Sequence, residues 1–291
     1  MRQKIRTYYL LTKPGIIYGN VFTTIAGFLL ASRGHVNLGL FLATLFGVSL
    51  VIASACVLNN YIDRNIDKKM ERTKKRALVT HAVSPANAII FAIILGVLGF
   101  TDLILFTNFL TFFIGLVGFV DYLVLYGLSK RWSVHGTVIG SISGATPIAA
   151  GYTAVTNRFD MGALILFSIM VFWQMPHFYA IAMYRIKDYA AAGLPVLPVK
   201  KGISSTKLQI FFYLIAFILA TALLTPTGLT GNIFLIVVGI LGITWVGFDI
   251  QGFMTTNNSR WARKMFFFSL IAVMVLCIGI SVDAFLPVPW K

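Results

Sequence analysis

Charged residues are scarce in this chain of 291 residues. They make up 11% of it, and only nine of them are Asp or Glu. Hydrophobic residues reach 58% and the mean hydropathy is +0.86, both well above what soluble globular domains contain. The shortage of charge argues against an ordinary soluble fold and predicts a protein that crosses a membrane several times.

Cysteine is also rare, with Cys56 and Cys277 as the only two. Both fall inside long apolar runs, which argues against a disulfide framework and against a thiolate metal site. The apolar runs are continuous and do not alternate with polar residues, so they exclude transmembrane β-strands. Residues 1–13 form a short basic arm, and we expect no cleavable signal peptide there.

Nine apolar runs are long enough to cross a bilayer as helices, which takes roughly 20 residues each. We therefore predict an all-α polytopic membrane protein with nine transmembrane helices, built as one integral membrane domain over residues 1–291. The runs lie at about 14–31, 40–61, 86–106, 108–128, 134–155, 161–182, 208–225, 232–253 and 264–285.

The 24 Lys and Arg residues are distributed unevenly between the two ends of these runs. If the N-terminus is cytoplasmic, all of them except Arg33, Arg158 and Lys291 lie on the cytoplasmic side, as the positive-inside rule describes. This pattern predicts that polar loops at about 62–83 and 185–207 face the cytoplasm. It also explains the net charge of +15 without nucleic acid as a partner, since such charge attracts anionic membrane lipid.

The most informative polar segment follows the second apolar run. Asn59, Asp63 and Asp67 recur at intervals of four residues, so on one continuous helix their side chains would share a face. Two carboxylates and an amide could hold Mg²⁺, which prefers oxygen ligands and leaves room for substrate phosphates. An ordinary polar helix end with i,i+4 pairing explains the spacing equally well. The cations that follow, which suit an anionic partner, are Lys68, Lys69, Arg72, Lys74, Lys75 and Arg76.

Several motifs together resemble the UbiA superfamily of intramembrane prenyltransferases. Asn59-x3-Asp63-x3-Asp67 with its basic continuation resembles the first signature of that superfamily, and Tyr126-x3-Lys130-Arg131 resembles another recurrent element. The resemblance runs from Thr12 to about Asp283 and is closest to the protoheme IX farnesyltransferase (haem O synthase) branch. The segments similar to that branch are Thr12-Lys13-Pro14-Gly15, Trp173-Gln174-Met175-Pro176-His177-Phe178, Lys187-Asp188-Tyr189 and Leu194-Pro195-Val196-Leu197-Pro198.

The resemblance implies a helical bundle around a central cavity, in which farnesyl diphosphate binds through Mg²⁺. The farnesyl group would pass to a vinyl group of haem B, a substrate and not a permanent cofactor, with water adding to give haem O. The resemblance also implies a bacterial cytoplasmic (inner) membrane location, an active site toward the cytoplasm, and haem A synthase or terminal-oxidase assembly proteins as partners. The implied metal ligands are Asn59, Asp63 and Asp67, and the implied diphosphate ligands are Arg72, Arg76 and Lys130.

The second polar loop departs from the wider superfamily. Many members carry Asp-x3-Asp there, whereas this chain has the single carboxylate of Asp188. Asp188 is therefore either a further metal ligand or the ion-pair partner of Arg185 or Lys187. Both of these cations are additional candidates for binding the diphosphate.

His177 is the only one of four histidines that lies well inside an apolar run. It follows Pro176, whose missing N–H leaves a backbone carbonyl without its helical partner. Neutral imidazole can bind haem iron, and the resemblance makes His177, Gln174 and Tyr184 the candidate haem-binding residues. A buried histidine that bonds to a neighbouring helix is the alternative.

Other functions fit parts of the sequence. A secondary transporter would explain the intramembrane residues Asp102, Asp121 and Asp249, whose roles the sequence leaves open, but transporter sites favour the bilayer midplane. A membrane phosphotransferase for activated alcohols also uses Asp-x3-Asp, yet its upstream Asp-Gly element is missing here. Within the superfamily, the alternative is prenylation of an aromatic quinone precursor, and the segments around His177 and Pro195 favour haem over it.

Overall fold

The computed structural model describes residues 2–286, so the prediction for Lys291 lies outside the described residues. Within that range nine helices are long and apolar enough to cross a membrane, which confirms the predicted number. These are α2 (Pro14–Ser32), α3 (Leu38–Ile62), α5 (Pro85–Phe106), α6 (Phe109–Val120) continued through a π-helical turn (Asp121–Leu125) into α7 (Tyr126–Trp132), α8 (Gly136–Thr156), α9 (Met161–Tyr184), α12 (Gly202–Ala222), α13 (Asn232–Met254) and α14 (Asn258–Asp283). The shorter helices are α1 (Arg2–Leu11), α4 (Arg64–Asp67), α10 (Ile186–Ala191) and α11 (Leu197–Lys200).

The membrane helices form a closed ring. Each one packs against the next in the chain, and α14 returns to pack against both α2 and α9. The main core lies where α8, α9, α12 and α14 meet, and its fully buried side chains include Ile148, Leu166, Met175 and Leu276. Because the last membrane helix contacts the first, the ring is closed and encloses a space between the helices.

α2 and α8 cross closely, and glycine makes this possible. A Cβ on Gly27 would lie 2.1 Å from the carbonyl oxygen of Ile148, and a Cβ on Gly151 would lie 2.1 Å from that of Thr24. Small residues allow such close packing in membranes, where helix association depends on van der Waals contact. The two glycines therefore fix the distance between two walls of the ring.

Two helices begin about six residues earlier than hydropathy predicts. α12 begins at Gly202 instead of about residue 208, and α14 begins at Asn258 instead of about residue 264. The first two turns of both helices carry cations, which a hydropathy window rejects although the backbone there is helical. Lys207 is accommodated because its Nζ donates to the carbonyl of Gly252 at 2.5 Å.

Candidate functional site

A cavity of about 900 Å³ lies inside the ring. This volume is near the upper end of the range for small-molecule sites, roughly 300–1,000 Å³. Asn59, Asp63 and Asp67 line it together with residues of the second polar loop such as Tyr189, so both predicted active-site loops lie at one end of the bundle. The rest of the wall comes mainly from α2, α3, α8 and α9.

The three residues of the acidic motif lie on two helices, not on the single continuous helix that their spacing predicts. α3 ends at Ile62, and Asp63 adopts φ −92° and ψ 0° before α4 begins at Arg64. The i to i−4 hydrogen bonds nevertheless continue across the break, from Asp63 N–H to Asn59 O at 2.9 Å and from Asp67 N–H to Asp63 O at 2.8 Å. The side chains therefore stay on the same side and reach the cavity together.

Asp63 is buried and is surrounded by donors. Its Oδ2 accepts hydrogen bonds from Lys130 Nζ and from Asn59 Nδ2, the latter at 3.0 Å, and its Oδ1 accepts one from Arg131 Nη2 at 3.3 Å. Lys130 comes from α7, so this contact joins the fourth membrane helix to the end of the second. Charge-assisted hydrogen bonds of this kind are stronger than neutral ones.

Asp67 is equally buried and bonds to a single cation. Its Oδ2 accepts from Arg76 Nη1 at 2.7 Å, and Thr73 Oγ1 donates to the Asp67 carbonyl at 2.9 Å, which folds the basic loop back over α4. Arg72 also lines the cavity but is exposed. Of the predicted diphosphate ligands, Arg72, Arg76 and Lys130 therefore meet at one end of the cavity.

Asn59 presents its carbonyl oxygen to two further side chains. Lys13 Nζ donates to Asn59 Oδ1 at 2.7 Å, and the Tyr122 hydroxyl donates to the same atom at 3.3 Å. Lys13 lies just before α2 in a left-handed conformation with φ 53°, which turns its side chain inward. Burial lowers the pKa of Lys13 to about 8, an effect that the carboxylates of Asp63 and Asp67 oppose.

The donor set fits Mg²⁺ in its chemistry. The amide oxygen of Asn59 and the carboxylates of Asp63 and Asp67 are the hard oxygen ligands that this ion prefers. No group of three or more His, Cys, Asp or Glu side chains converges within residues 2–286. A bound ion would thus need oxygens from substrate phosphates or water to complete its shell, which is how protein-bound Mg²⁺ is usually held.

The second polar loop contributes less to the cavity than its sequence predicts. Asp188 forms an ion pair with Arg185, with 3.6 Å between Oδ2 and Nη1, and Arg185 and Lys187 are exposed. The cavity wall from this loop consists of Tyr189, Leu194 and Val196. In this arrangement Asp188 is an ion-pair partner, which is the second of the two roles the sequence allows.

His177 lies on the cavity wall within α9. Its ring stacks on Trp173, with 5.0 Å between centroids and 23° between planes, and contacts Phe266 at 5.0 Å on α14. Its Nδ1 lies 2.7 Å from Ser269 Oγ. α9 continues through Pro176 without a break, so the helix holds the His177 side chain on the cavity wall.

The other two predicted haem-binding residues have different surroundings. Gln174 lines the cavity, but its Nε2 donates to the carbonyls of Ser141 at 3.0 Å and Met170 at 2.9 Å, so the amide holds α8 against α9. Tyr184 is outside the cavity lining and packs edge-on against Phe266, with 5.8 Å between centroids. Of the three residues, His177 and Gln174 line the cavity, and the Gln174 amide N–H groups are already used between helices.

The three intramembrane carboxylates whose roles the sequence leaves open all lie outside the cavity lining. Asp121 begins the π-helical turn, and its Oδ2 accepts from the Ser143 N–H at 3.0 Å, which ties this turn to α8. Asp249 is fully buried on α13, and Asp102 lies beside Gly47, where a Cβ would be 2.6 Å from its Oδ2. The structure therefore gives Asp121 a packing role between two helices.

Four polar residues of the site were not among the predicted ones: Lys13, Tyr122, Arg131 and Ser269. Lys13 and Arg131 lie within the motifs that carry the resemblance, but their charge is explained by membrane topology alone. Tyr122 lies in the π-helical turn and stacks on Tyr126, with 5.8 Å between centroids. Ser269 carries no sequence signal, since its contact joins helices that are distant along the chain.

Comparison with known proteins identifies the family and the fold of this chain. The model of the UbiA prenyltransferase family matches residues 20–271. A protoheme IX farnesyltransferase from Edwardsiella ictaluri is 53% identical over 280 residues, which cover 96% of this chain and 95% of that protein.

Solved structures share the fold. A digeranylgeranylglyceryl phosphate synthase superposes with a TM-score of 0.80 at 21% identity, covering 97% of this chain and 99% of that one. A UbiA homolog from Archaeoglobus fulgidus, bound to DMAPP and Mg²⁺, superposes with a TM-score of 0.68 at 16% identity, covering 95% of this chain and 99% of that one. The chain thus belongs to the UbiA prenyltransferase family and is a multi-pass membrane prenyltransferase.

Proposed function

We propose that this prenyltransferase moves the farnesyl group of farnesyl diphosphate to a vinyl group of haem B, giving haem O and diphosphate. The observation that carries the proposal is the 53% identity, over nearly the whole chain, to a protoheme IX farnesyltransferase. The cavity supports it, because a charged end and a histidine-bearing wall lie within one space of about 900 Å³. Prenylation of an aromatic quinone precursor does not account for an imidazole on that wall.

The charged end suits a prenyl diphosphate. Arg76, Lys130 and Arg131 contact the carboxylates of Asp63 and Asp67, and Lys13 contacts the Asn59 amide. Four cations thus accompany two carboxylates, which leaves positive charge for a phosphate anion. Exposed Arg72 lies in the same lining and adds to this charge. Mg²⁺, held by Asn59, Asp63 and Asp67, would neutralise diphosphate charge as the group leaves. The second polar loop borders the cavity. From this loop Arg185 and Lys187 would add to diphosphate binding, and Asp188 would orient Arg185 as its ion-pair partner.

The transfer replaces a C–O bond of farnesyl diphosphate with a C–C bond to haem B. The C–O bond between the farnesyl C1 and the diphosphate breaks, and the electron pair leaves with the diphosphate. A C–C bond forms between C1 and the terminal vinyl carbon, water adds to the inner vinyl carbon, and the water gives up one proton. Tyr122 and Tyr126 line the cavity beside the charged end, and their ring faces can shield an allylic cation.

The acceptor would lie along the wall that contains His177. The imidazole of His177 can bind the iron of haem B from the α9 side. Trp173 and Phe266 hold this imidazole ring by contacts on its faces. Gln174 would act indirectly, by fixing α8 to α9, and Tyr184 by packing behind the wall. In this arrangement the reacting vinyl group has to face the farnesyl C1 from the other end of the cavity.

The excess of cations at the charged end also supports a cytoplasmic orientation of the active site in a bacterial inner membrane. Haem A synthase and terminal-oxidase assembly proteins remain the proposed partners, because they would use or receive the product. A test is mass spectrometry of haems extracted from cells with and without the protein. We expect haem O only when the protein is present. Unchanged haem content together with a new prenylated aromatic acid would contradict the proposal and identify a quinone precursor as the acceptor.

A further inference from the structure

Ser269 lies on α14 and faces His177 across the interface with α9. The serine is fully buried, and its hydroxyl has two close neighbours. One is the Phe266 carbonyl oxygen, 2.5 Å from Oγ, and the other is His177 Nδ1 at 2.7 Å. A hydroxyl has one hydrogen to donate and lone pairs to accept with, so the two contacts need opposite directions.

The shorter contact decides where the hydrogen lies. Two oxygens 2.5 Å apart repel each other unless a hydrogen lies between them, and the Phe266 carbonyl can only accept. The Ser269 hydroxyl therefore donates to Phe266 and accepts from His177, which requires a hydrogen on Nδ1. In a neutral imidazole the other nitrogen, Nε2, then carries a free lone pair.

Nε2 is the atom of His177 left for a ligand. Within the described part of the chain it has no hydrogen-bond partner, and the residue lines the cavity. The ring is held by Trp173 on one side, and the Trp173 indole N–H in turn donates to the Ser269 carbonyl at 2.8 Å. Ser269 thus binds both the imidazole and the indole that stacks on it.

We infer that Ser269 is a positioning residue, which fixes His177 as its Nδ1–H tautomer and directs the Nε2 lone pair toward the iron of the porphyrin acceptor. The inference rests on the proposed function, since it takes haem B as the substrate. Histidines that bind metals almost always donate their other N–H to such a partner, and loss of the partner typically lowers metal affinity about 10–100-fold.

The test is a titration of the purified full-length protein with ferric haem B, followed by its visible absorption spectrum. We expect the wild-type protein to give the spectrum of histidine-ligated haem and His177→Ala to lose it. Ser269→Ala should weaken haem affinity about 10–100-fold, whereas Ser269→Thr, which keeps the hydroxyl, should restore most of it. Binding of farnesyl diphosphate should be unchanged in all three variants.

Ser281→Ala is the matched control. Ser281 lies on the same helix, and its hydroxyl donates to the Cys277 carbonyl at 2.7 Å without contacting a histidine. If Ser281→Ala lost as much haem affinity as Ser269→Ala, the inference would be overturned. The loss would then come from a general weakening of α14 and not from the contact between Ser269 and His177. Full haem affinity in Ser269→Ala would also overturn it.

A second measurement needs no substitution of Ser269. The chain has four histidines, so ¹⁵N-histidine NMR of the wild-type protein can be assigned by comparison with His177→Ala. Protonated Nδ1 and unprotonated Nε2 are expected for His177, and the reverse pattern would overturn the tautomer assignment. If wild-type protein fails to farnesylate haem B, the proposed function fails; if it does so and Ser269→Ala does so equally well, only the role of Ser269 fails.

Discussion

Asp63 accepts hydrogen bonds from Asn59, Lys130 and Arg131, and so it connects the end of α3 to α7 at the charged end of the cavity. Removing its charge would leave two part-buried cations without their partner and would take one carboxylate from the proposed metal site. The residue is therefore more than a metal ligand, because it also orients the cations that would bind diphosphate.

We expect Asp63→Asn to lower kcat/KM for farnesyl diphosphate by about 10²-fold or more, the size typical for loss of one preorganised electrostatic contact. The substitution keeps the shape of the side chain, so the protein should still fold. Glu71→Gln is the matched control, since Glu71 lies in the same basic loop and only pairs with exposed Lys74 at 2.6 Å. Near-normal turnover of Asp63→Asn at limiting Mg²⁺ would contradict the metal assignment.

Among the residues of the site, Lys13 has the role that is hardest to predict from the sequence. Its charge is explained equally well by its position next to the first membrane helix, and its partner Asn59 is 46 residues away. Only the packing of α2 against α3 brings the two together.

We expect Lys13→Met to lower kcat/KM for farnesyl diphosphate at least about tenfold, since a hydrogen bond to a charged group is worth ~1.5–3 kcal/mol. Lys4→Met, at an exposed position of α1, is the control and should change little. Steady-state kinetics of both variants checks this. Equal kinetics for the two variants would mean that Lys13 serves topology alone.

At the scale of helices, the acidic motif is well predicted by spacing although the helix that carries it is not. The prediction of a shared face survives because the hydrogen bonds at Asp63 and Asp67 continue across the end of α3. The π-helical turn before α7 could not be predicted, since an isolated aspartate in an apolar run such as Asp121–Leu125 does not specify a π-helix. It depends on contacts with α8, such as the one between Asp121 and Ser143.

The crossing of α2 and α8 yields a prediction about stability. We expect Gly27→Ala and Gly151→Ala each to destabilise the protein by about 1–3 kcal/mol, the usual cost of overpacking, because each new methyl group would meet backbone oxygen. Gly239→Ala is the control, since a Cβ there meets nothing within 4 Å. Thermal unfolding in detergent, followed by circular dichroism, would measure all three. A midpoint in Gly27→Ala as high as in Gly239→Ala would contradict the close crossing.

At the scale of the molecule, the number of membrane helices and most of their bounds follow from hydropathy, because burial in lipid requires long apolar runs. The starts of α12 and α14 do not follow, since charged side chains such as Lys207 lie within helical turns. The charged end of the cavity was predictable from the acidic motif. The pairing of His177 with Ser269 was not, because it depends on how two distant helices meet.

Topology can be tested by thiol labelling from each side of the membrane. A position suited to labelling has to be exposed. His35 and Ser204 are exposed, whereas Ser32, at the end of α2, is buried and therefore unsuitable. In a background with Cys56 and Cys277 replaced by alanine, we expect Ser204→Cys to be labelled from the cytoplasm and His35→Cys from the opposite side. Labelling of both positions from one side would contradict the proposed orientation.

The central claim is that one cavity joins a prenyl diphosphate to haem B. The most direct test supplies purified protein in lipid nanodiscs with farnesyl diphosphate, Mg²⁺, haem B and a competing aromatic acid, and identifies the products by mass spectrometry. We expect a haem that has gained a farnesyl and a hydroxyl group, an unchanged aromatic acid, no product after chelation of Mg²⁺, and strongly reduced product formation in Asp63→Asn. Unmodified haem beside a farnesylated aromatic acid would contradict the account.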